Sequence, residues 1–154
     1  MEVCELLAPD RILDGLKAPS KKKALLELAR LAATITGLPE RTIFDILQER
    51  EKLGTTGVGR GIAIPHGKFP GLDGIYGLFV RLDSPINFDS VDNEPVDLIF
   101  LLLAPETAGA DHLKALARVS RLLRSNAMCG KIRTARNASE IWNLFLSGEA
   151  SRAA

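Results

Sequence analysis

Apolar positions along the chain change period twice. Leu25, Leu28, Leu31, Ala32 and Ile35 recur at three- to four-residue spacing, which lays one apolar stripe along a helix. Ser20 stands where a capping hydroxyl is wanted and Gly37 where a left-handed stop is wanted. Pro39 suits the first position of a second helix, with Ile43, Ile46 and Leu47 as its stripe. The period then falls to two. Ile62-Ala63-Ile64 reads as a short strand ended by Pro65, which has no N–H for a ladder. Ile75 to Leu82 reads as a strand with Ile75, Gly77, Phe79 and Arg81 on one face and Tyr76, Leu78, Val80 and Leu82 on the other. Asp83-Ser84-Pro85 turns it, Ile86 to Phe88 makes a short extended piece, and 89–95 is an exposed acidic loop. Val96 to Leu103 is almost unbroken in its apolarity, as a strand covered on both faces must be.

Helical spacing returns near Ala110, with His112, Ala115, Leu116, Val119, Leu122 and Leu123 on one face. A shorter helix, Met128 to Arg136, and a last one, Ser139 to Leu146, follow. Trp142 and Phe145 lie in the core, Gly148 ends the last helix, and 151–154 form a loose tail. Residues 1–19 read as a surface lead-in from which Ile12, Leu13 and Leu16 dock. Helices, then strands, then helices predict an α/β layered fold. The whole of 1–154 is expected to form one domain, with its core at about 6–146.

Charge narrows the partners. A chain of 154 residues with formal net charge +1 gives no electrostatic case for nucleic acid or an anionic membrane. Cys4 and Cys129 are far apart and form no Cys-x-x-Cys pair, so they read as reduced thiols and not as a metal site. The acidic start lacks a signal-peptide pattern, and the run Leu98 to Ala104 is too short to cross a bilayer. A soluble cytoplasmic protein is expected.

The chemistry concentrates between Gly54 and Gly67. Gly54, Gly57, Gly59 and Gly61 punctuate a loop whose N–H groups near Thr55, Thr56, Gly57 and Gly59 can hold an anion. His66 follows, between Pro65 and Gly67, at a strand end of the kind that meets ligands in α/β folds. Taken alone, a lone histidine there reads as hydrogen-bonded to nearby backbone. Gly57-Val58-Gly59 lacks the third glycine of a dinucleotide fingerprint, and no Gly-Lys-Ser or Gly-Lys-Thr is present for a nucleotide triphosphate. Arg50 continues the stripe of the second helix, so its stem should pack and its guanidinium should need an anion. That anion is either a carboxylate, Glu51 or Asp45, or a group carried on His66. His112, in the first turn of its helix, reads as a neutral capping or core-edge histidine, because the helix dipole disfavours its protonation. Lys21, Lys22 and Lys23 read as a solvated helix end, and Arg118, Arg121 and Arg124 as solvated side chains.

Leu47-Gln48-Glu49-Arg50-Glu51, the glycine-punctuated loop, Gly61-Ile62-Ala63-Ile64-Pro65-His66-Gly67, Pro95 to Pro105 and Asp111-His112-Leu113 together resemble the enzyme IIA domain of the fructose–mannitol class. That class belongs to the phosphoenolpyruvate-dependent phosphotransferase system. The resemblance spans roughly Leu6 to Leu146 and is most like the stand-alone nitrogen-regulatory form. It implies a mixed sheet of about five strands flanked by helices on both faces. It also implies that His66 accepts a phosphoryl group at Nε2 from an HPr-like phosphocarrier, with Arg50, His112 and the 55–59 loop as helpers and no metal or cofactor. Regulatory targets such as potassium transporters or sensor kinases are the family's associations. A transport component would instead pass the group to a sugar permease IIB domain; the lack of a fused partner in this sequence favours regulation. Val58, Ile64, Phe69 and Leu72 are the residues suited to a docking rim around His66. Two further readings stay open: a metal-dependent hydrolase using His66, His112 and Asp73 or Asp111, and an interaction module that is never phosphorylated.

Overall fold

The computed structural model describes residues 2–153. A six-stranded mixed sheet runs in the order β1-β5-β6-β3-β2, with β4 also paired to β6. Its strands are β1 (Ile12–Leu16), β2 (Gly57–Gly59), β3 (Ile62–Ala63), β4 (His66–Phe69), β5 (Tyr76–Ile86) and β6 (Val96–Pro105). The helices are α1 (Val3–Leu6), α2 (Lys21–Thr36), α3 (Glu40–Lys52), α4 (Ala110–Leu123), α5 (Asn126–Thr134) and α6 (Ala138–Ala153). The class is the expected one: a single α/β domain with helices on both faces of a mixed sheet.

β6 divides the core. Ile99, Leu101 and Leu103 face one apolar layer with Leu28, Ala32, Ile43 and Leu47 of α2 and α3. Leu98, Phe100 and Leu102 face the other, with Val119 and Leu122 of α4, Ile132 of α5 and Phe145 of α6. Both faces are covered, which is why this strand carries no polar alternation. β5 divides as expected, with Leu78, Val80 and Leu82 in the first layer and Phe79 in the second. Ser20 caps α2 by accepting the Lys23 N–H, and Gly37 closes it in the left-handed region at φ 77°.

Several boundaries differ from the sequence reading. The lead-in is structured: α1 packs into the second layer, and β1 pairs parallel with β5 from Ile12 opposite Phe79. Five residues, Ile-Leu-Asp-Gly-Leu, with a glycine at the fourth position carry too little alternation to declare a strand. β5 does not turn at Asp83-Ser84-Pro85; it passes through them, with a register shift between Arg81 and Ile86 that absorbs the proline. Pro39 is the N-cap of α3, one position outside the helix. Gly148 does not end α6, which continues to Ala153; Ala154 lies outside the described residues. Among the described residues no helix is long and apolar enough to cross a membrane.

Candidate functional site around His66

β6 receives two partners in succession along one edge. β3 pairs with it through Ile62–Leu98 and Ala63–Ile99, and β4 resumes at His66–Leu102. Ile64 and Pro65 fall between the two paired stretches. The Pro65 carbonyl accepts the Leu102 N–H at 2.9 Å, and the Ile64 N–H donates to Thr56 at 3.0 Å. The Ile64 carbonyl, on the side away from β6, receives His66 Nδ1 at 2.8 Å. A carbonyl only accepts, so Nδ1 carries the proton and Nε2 presents its lone pair. His66 begins a strand as well as following one, which the proline had concealed.

The His112 ring stands 5.8 Å from the His66 ring, centroid to centroid, in an edge-on arrangement. His112 is buried, and its Nε2 has no hydrogen-bond partner among the described residues. Burial holds the pKa of His66 below the ordinary histidine value, and the Arg50 charge acts the same way; the Ile64 bond and Glu51 oppose them. Burial also lowers the pKa of His112, helped by His66 and Lys68. Both rings are therefore biased neutral. The expected neutrality of His112 holds, with burial as its leading cause.

Arg50 is half-buried at the end of the α3 stripe and donates through Nη1 to the Gly54 carbonyl at 2.9 Å. Neither Glu51 nor Asp45 pairs with it among the described residues. Asp45 pairs with Arg41, and Glu51 turns to the loop. Glu51 accepts the Thr56 N–H at 3.0 Å and the Thr56 hydroxyl, and it pairs with Lys21 Nζ at 3.0 Å. Lys21 is thus not a solvated helix end: its ammonium also lies 4.8 Å from the Phe88 ring centroid. Thr55 Oγ1 donates to the Phe88 carbonyl and accepts the Gly57 N–H. The loop amides at Thr56 and Gly57 are consequently engaged inside the protein. Among the described residues the Thr55 amide has no partner.

Close packing explains two of the glycines. A Cβ on Gly57 would stand 2.5 Å from Ser90 Oγ, and Gly59 has φ 104° with Asp92 3.0 Å from where its Cβ would be. The 89–95 loop, read as merely exposed, packs against β2 here, and Ser90 is buried. Arg60, itself at φ 59°, completes the hairpin. Its backbone N–H donates to Asp92, and its side chain donates to the Leu123 and Arg124 carbonyls at the end of α4.

Of the predicted rim residues only Val58 is exposed; Ile64, Phe69 and Leu72 are buried in the core. Phe69 and Leu72 pack into the layer under α2 and α3, and Ile64 into the layer under α4 to α6. The exposed apolar side chains next to site residues are Leu53, beside Gly54, and Leu113, beside His112. Asp73 accepts the Tyr76 hydroxyl at 2.6 Å. Among the described residues no three His, Cys, Asp or Glu side chains are gathered as metal ligands.

The mixed sheet thus presents His66 at the start of β4, with the His112 ring of α4 beside it and the Arg50 charge of α3 acting on it. Residues 5–148 match the model of the "Phosphoenolpyruvate-dependent sugar phosphotransferase system, EIIA 2" family, and the chain belongs to that family. It is 59% identical over 145 residues to a nitrogen regulatory protein of Bradyrhizobium diazoefficiens, covering 94% of this chain and 95% of that one. It is 42% identical to the nitrogen regulatory protein of Escherichia coli strain K12, over 84% of this chain and 80% of that one. The crystal structure of nitrogen regulatory protein IIA-Ntr from Neisseria meningitidis superposes with a TM-score of 0.88 at 34% identity, covering 93% of this chain and 98% of that one.

Proposed function

We propose that this protein carries a phosphoryl group on Nε2 of His66 and acts as a nitrogen-regulatory signalling protein. The observation that carries the reading is the 2.8 Å bond from His66 Nδ1 to the Ile64 carbonyl. It leaves Nε2 as the nucleophile on a ring that burial keeps neutral. An HPr-like phosphocarrier supplies the group. The donor's nitrogen–phosphorus bond breaks as the bond to His66 Nε2 forms, and the proton stays on Nδ1, hydrogen-bonded to the Ile64 carbonyl. Such a transfer needs little covalent help; positioning and charge stabilisation carry it. Arg50 and the Thr55 amide are suited to the phosphoryl oxygens. His112, with a buried and unpartnered Nε2, is suited to donate to them.

The regulatory role rests on relatives named nitrogen regulatory protein at up to 59% identity. Phosphorylation adds charge at the centre of a docking surface, so it changes affinity for targets, which by family association include potassium transporters and sensor kinases. A transport reading has its own support: the fructose-specific EIIA component of Haloferax volcanii is 35% identical over 127 residues. The test incubates the protein with phosphoenolpyruvate, the system's first enzyme and the phosphocarrier. Wild type takes an acid-labile, base-stable label, and folded His66→Ala takes none. Stable labelling of His66→Ala removes the reading. Onward transfer to a permease IIB domain, with partner binding indifferent to phosphorylation, identifies a transport component instead.

A further inference from the structure

We propose that Glu51 is a positioning residue for phosphoryl transfer: its carboxylate, balanced by Lys21, clamps Thr56 and so holds the 54–57 backbone in its receiving shape. The proposal rests on the phosphoryl-carrier reading of His66. Its ground is the burial of the pair. The Glu51 side chain is 6% exposed and that of Lys21 is 19% exposed. Burying such charges is costly, and an apolar pair of similar volume would serve stability as well or better. Three donors converge on this carboxylate: the Thr56 N–H, the Thr56 hydroxyl and Lys21 Nζ. Two of them belong to one loop residue, so the side chain fixes both the peptide plane and the side-chain rotamer of Thr56.

The clamp has a second jaw. Thr55 Oγ1 bonds the Phe88 carbonyl at 2.9 Å, and Phe88 is the ring beneath the Lys21 ammonium. The loop is therefore held from α3 on one side and from the segment after β5 on the other. Arg50, one residue before Glu51, closes the loop from its far end through the Gly54 carbonyl. Adjacent residues of α3 thus grip both ends of the same loop.

A bare carboxylate here would repel an incoming phosphoryl group. The Lys21 ion pair cancels that field and leaves the geometry, which explains why a lysine from α2 is drawn under the loop. The charged and titratable groups around His66 are Arg50 and Glu51 from α3 and His112 from α4, with Lys68 of its own strand acting on His112. Glu51 is the one anion in that set.

The experiment follows label transfer from the phosphorylated HPr-like donor to Glu51→Ala, Glu51→Gln and Lys21→Met, resolving kcat from donor KM. NMR titration of His66 runs in parallel. Glu51→Ala lowers kcat by about a hundredfold, the usual cost of a small misplacement, and leaves KM unchanged. Glu51→Gln recovers most of the rate, because its amide still accepts from the Thr56 N–H and donates to the hydroxyl oxygen. Lys21→Met slows transfer and raises the pKa of His66 by unmasking the carboxylate. If Glu51→Ala does not fold, Thr56→Val removes the hydroxyl bond alone and shows the same kcat-only loss, smaller in size. Wild-type kcat in folded Glu51→Ala or Thr56→Val, a loss in KM alone, or a Glu51→Gln as slow as the alanine variant overturns the proposal. A wild type that takes no label overturns the carrier reading itself, a separate and recognisable failure.

Discussion

In Arg50→Lys the charge at the loop remains and the planar fork is lost. Arg50 spends one N–H on the Gly54 carbonyl at 2.9 Å, and among the described residues its other N–H groups have no partner. Those are the donors available to an anion on His66. A guanidinium presents them two at a time to phosphoryl oxygens, which an ammonium cannot do. Removing one preorganised donor from a transition state costs about 10²–10³ in rate, or roughly 3–4 kcal/mol. The folded state loses far less. The Gly54 bond is solvent-exposed, and losing a hydrogen bond of this kind costs about 0.5–1.5 kcal/mol.

The two magnitudes differ enough to be separated. Rapid-quench measurement of label transfer is expected to show Arg50→Lys at least tens of times slower than wild type. Chemical denaturation is expected to show a stability change near or below 1 kcal/mol. Transfer at the wild-type rate refutes the argument and leaves Arg50 as a loop-closing side chain. A rate loss that merely tracks the unfolded fraction refutes it too.

Two further outcomes are expected. Both histidines have folded-state pKa values below the unfolded value of about 6.5, so below that pH the unfolded chain binds more protons. Stability is full above about pH 6.5 and falls as pH drops, by at most about 1.4 kcal/mol per pH unit for each histidine; denaturation from pH 7 to 5 checks this, and a His66→Asn, His112→Asn double variant with an unchanged slope contradicts it. Leu53 and Leu113 are 85% and 68% exposed, so Leu53→Asp and Leu113→Asp should raise donor KM with little effect on stability; unchanged KM in both removes them from the docking rim.

Much of this fold is legible in the periods of its apolar residues. Val96 to Leu103 announces a central strand because both faces are buried, and α2 and α4 announce themselves by their stripes. What escapes is whatever depends on a distant partner. β1 is five residues whose only reason to extend is β5 beside it. β2 is a glycine-valine-glycine triplet held in place by β3 and by Ser90 packed against Gly57. The site divides in the same way. His66 stands out because proline and glycine frame it. The roles of Glu51 and Lys21 do not, because three lysines in a row look solvated until Glu51 and Phe88, far along the chain, are folded beside one of them.

The tautomer of His66 is set by backbone, and this has a structural cause. The Ile64 carbonyl points away from β6: the register runs on unbroken from Ile62–Leu98 to His66–Leu102, and it is Pro65 that turns its carbonyl to the Leu102 N–H. On the outer side the Ile64 N–H donates to the Thr56 carbonyl, while the Thr56 N–H goes to Glu51 and leaves the Ile64 carbonyl to Nδ1. Thr56 is also the residue that Glu51 grips. The histidine's proton and the 54–57 loop are therefore fixed through a shared neighbour. The alternation of main-chain groups along an unbroken register and one buried carboxylate thus set the His66 tautomer and the shape of the 54–57 loop together.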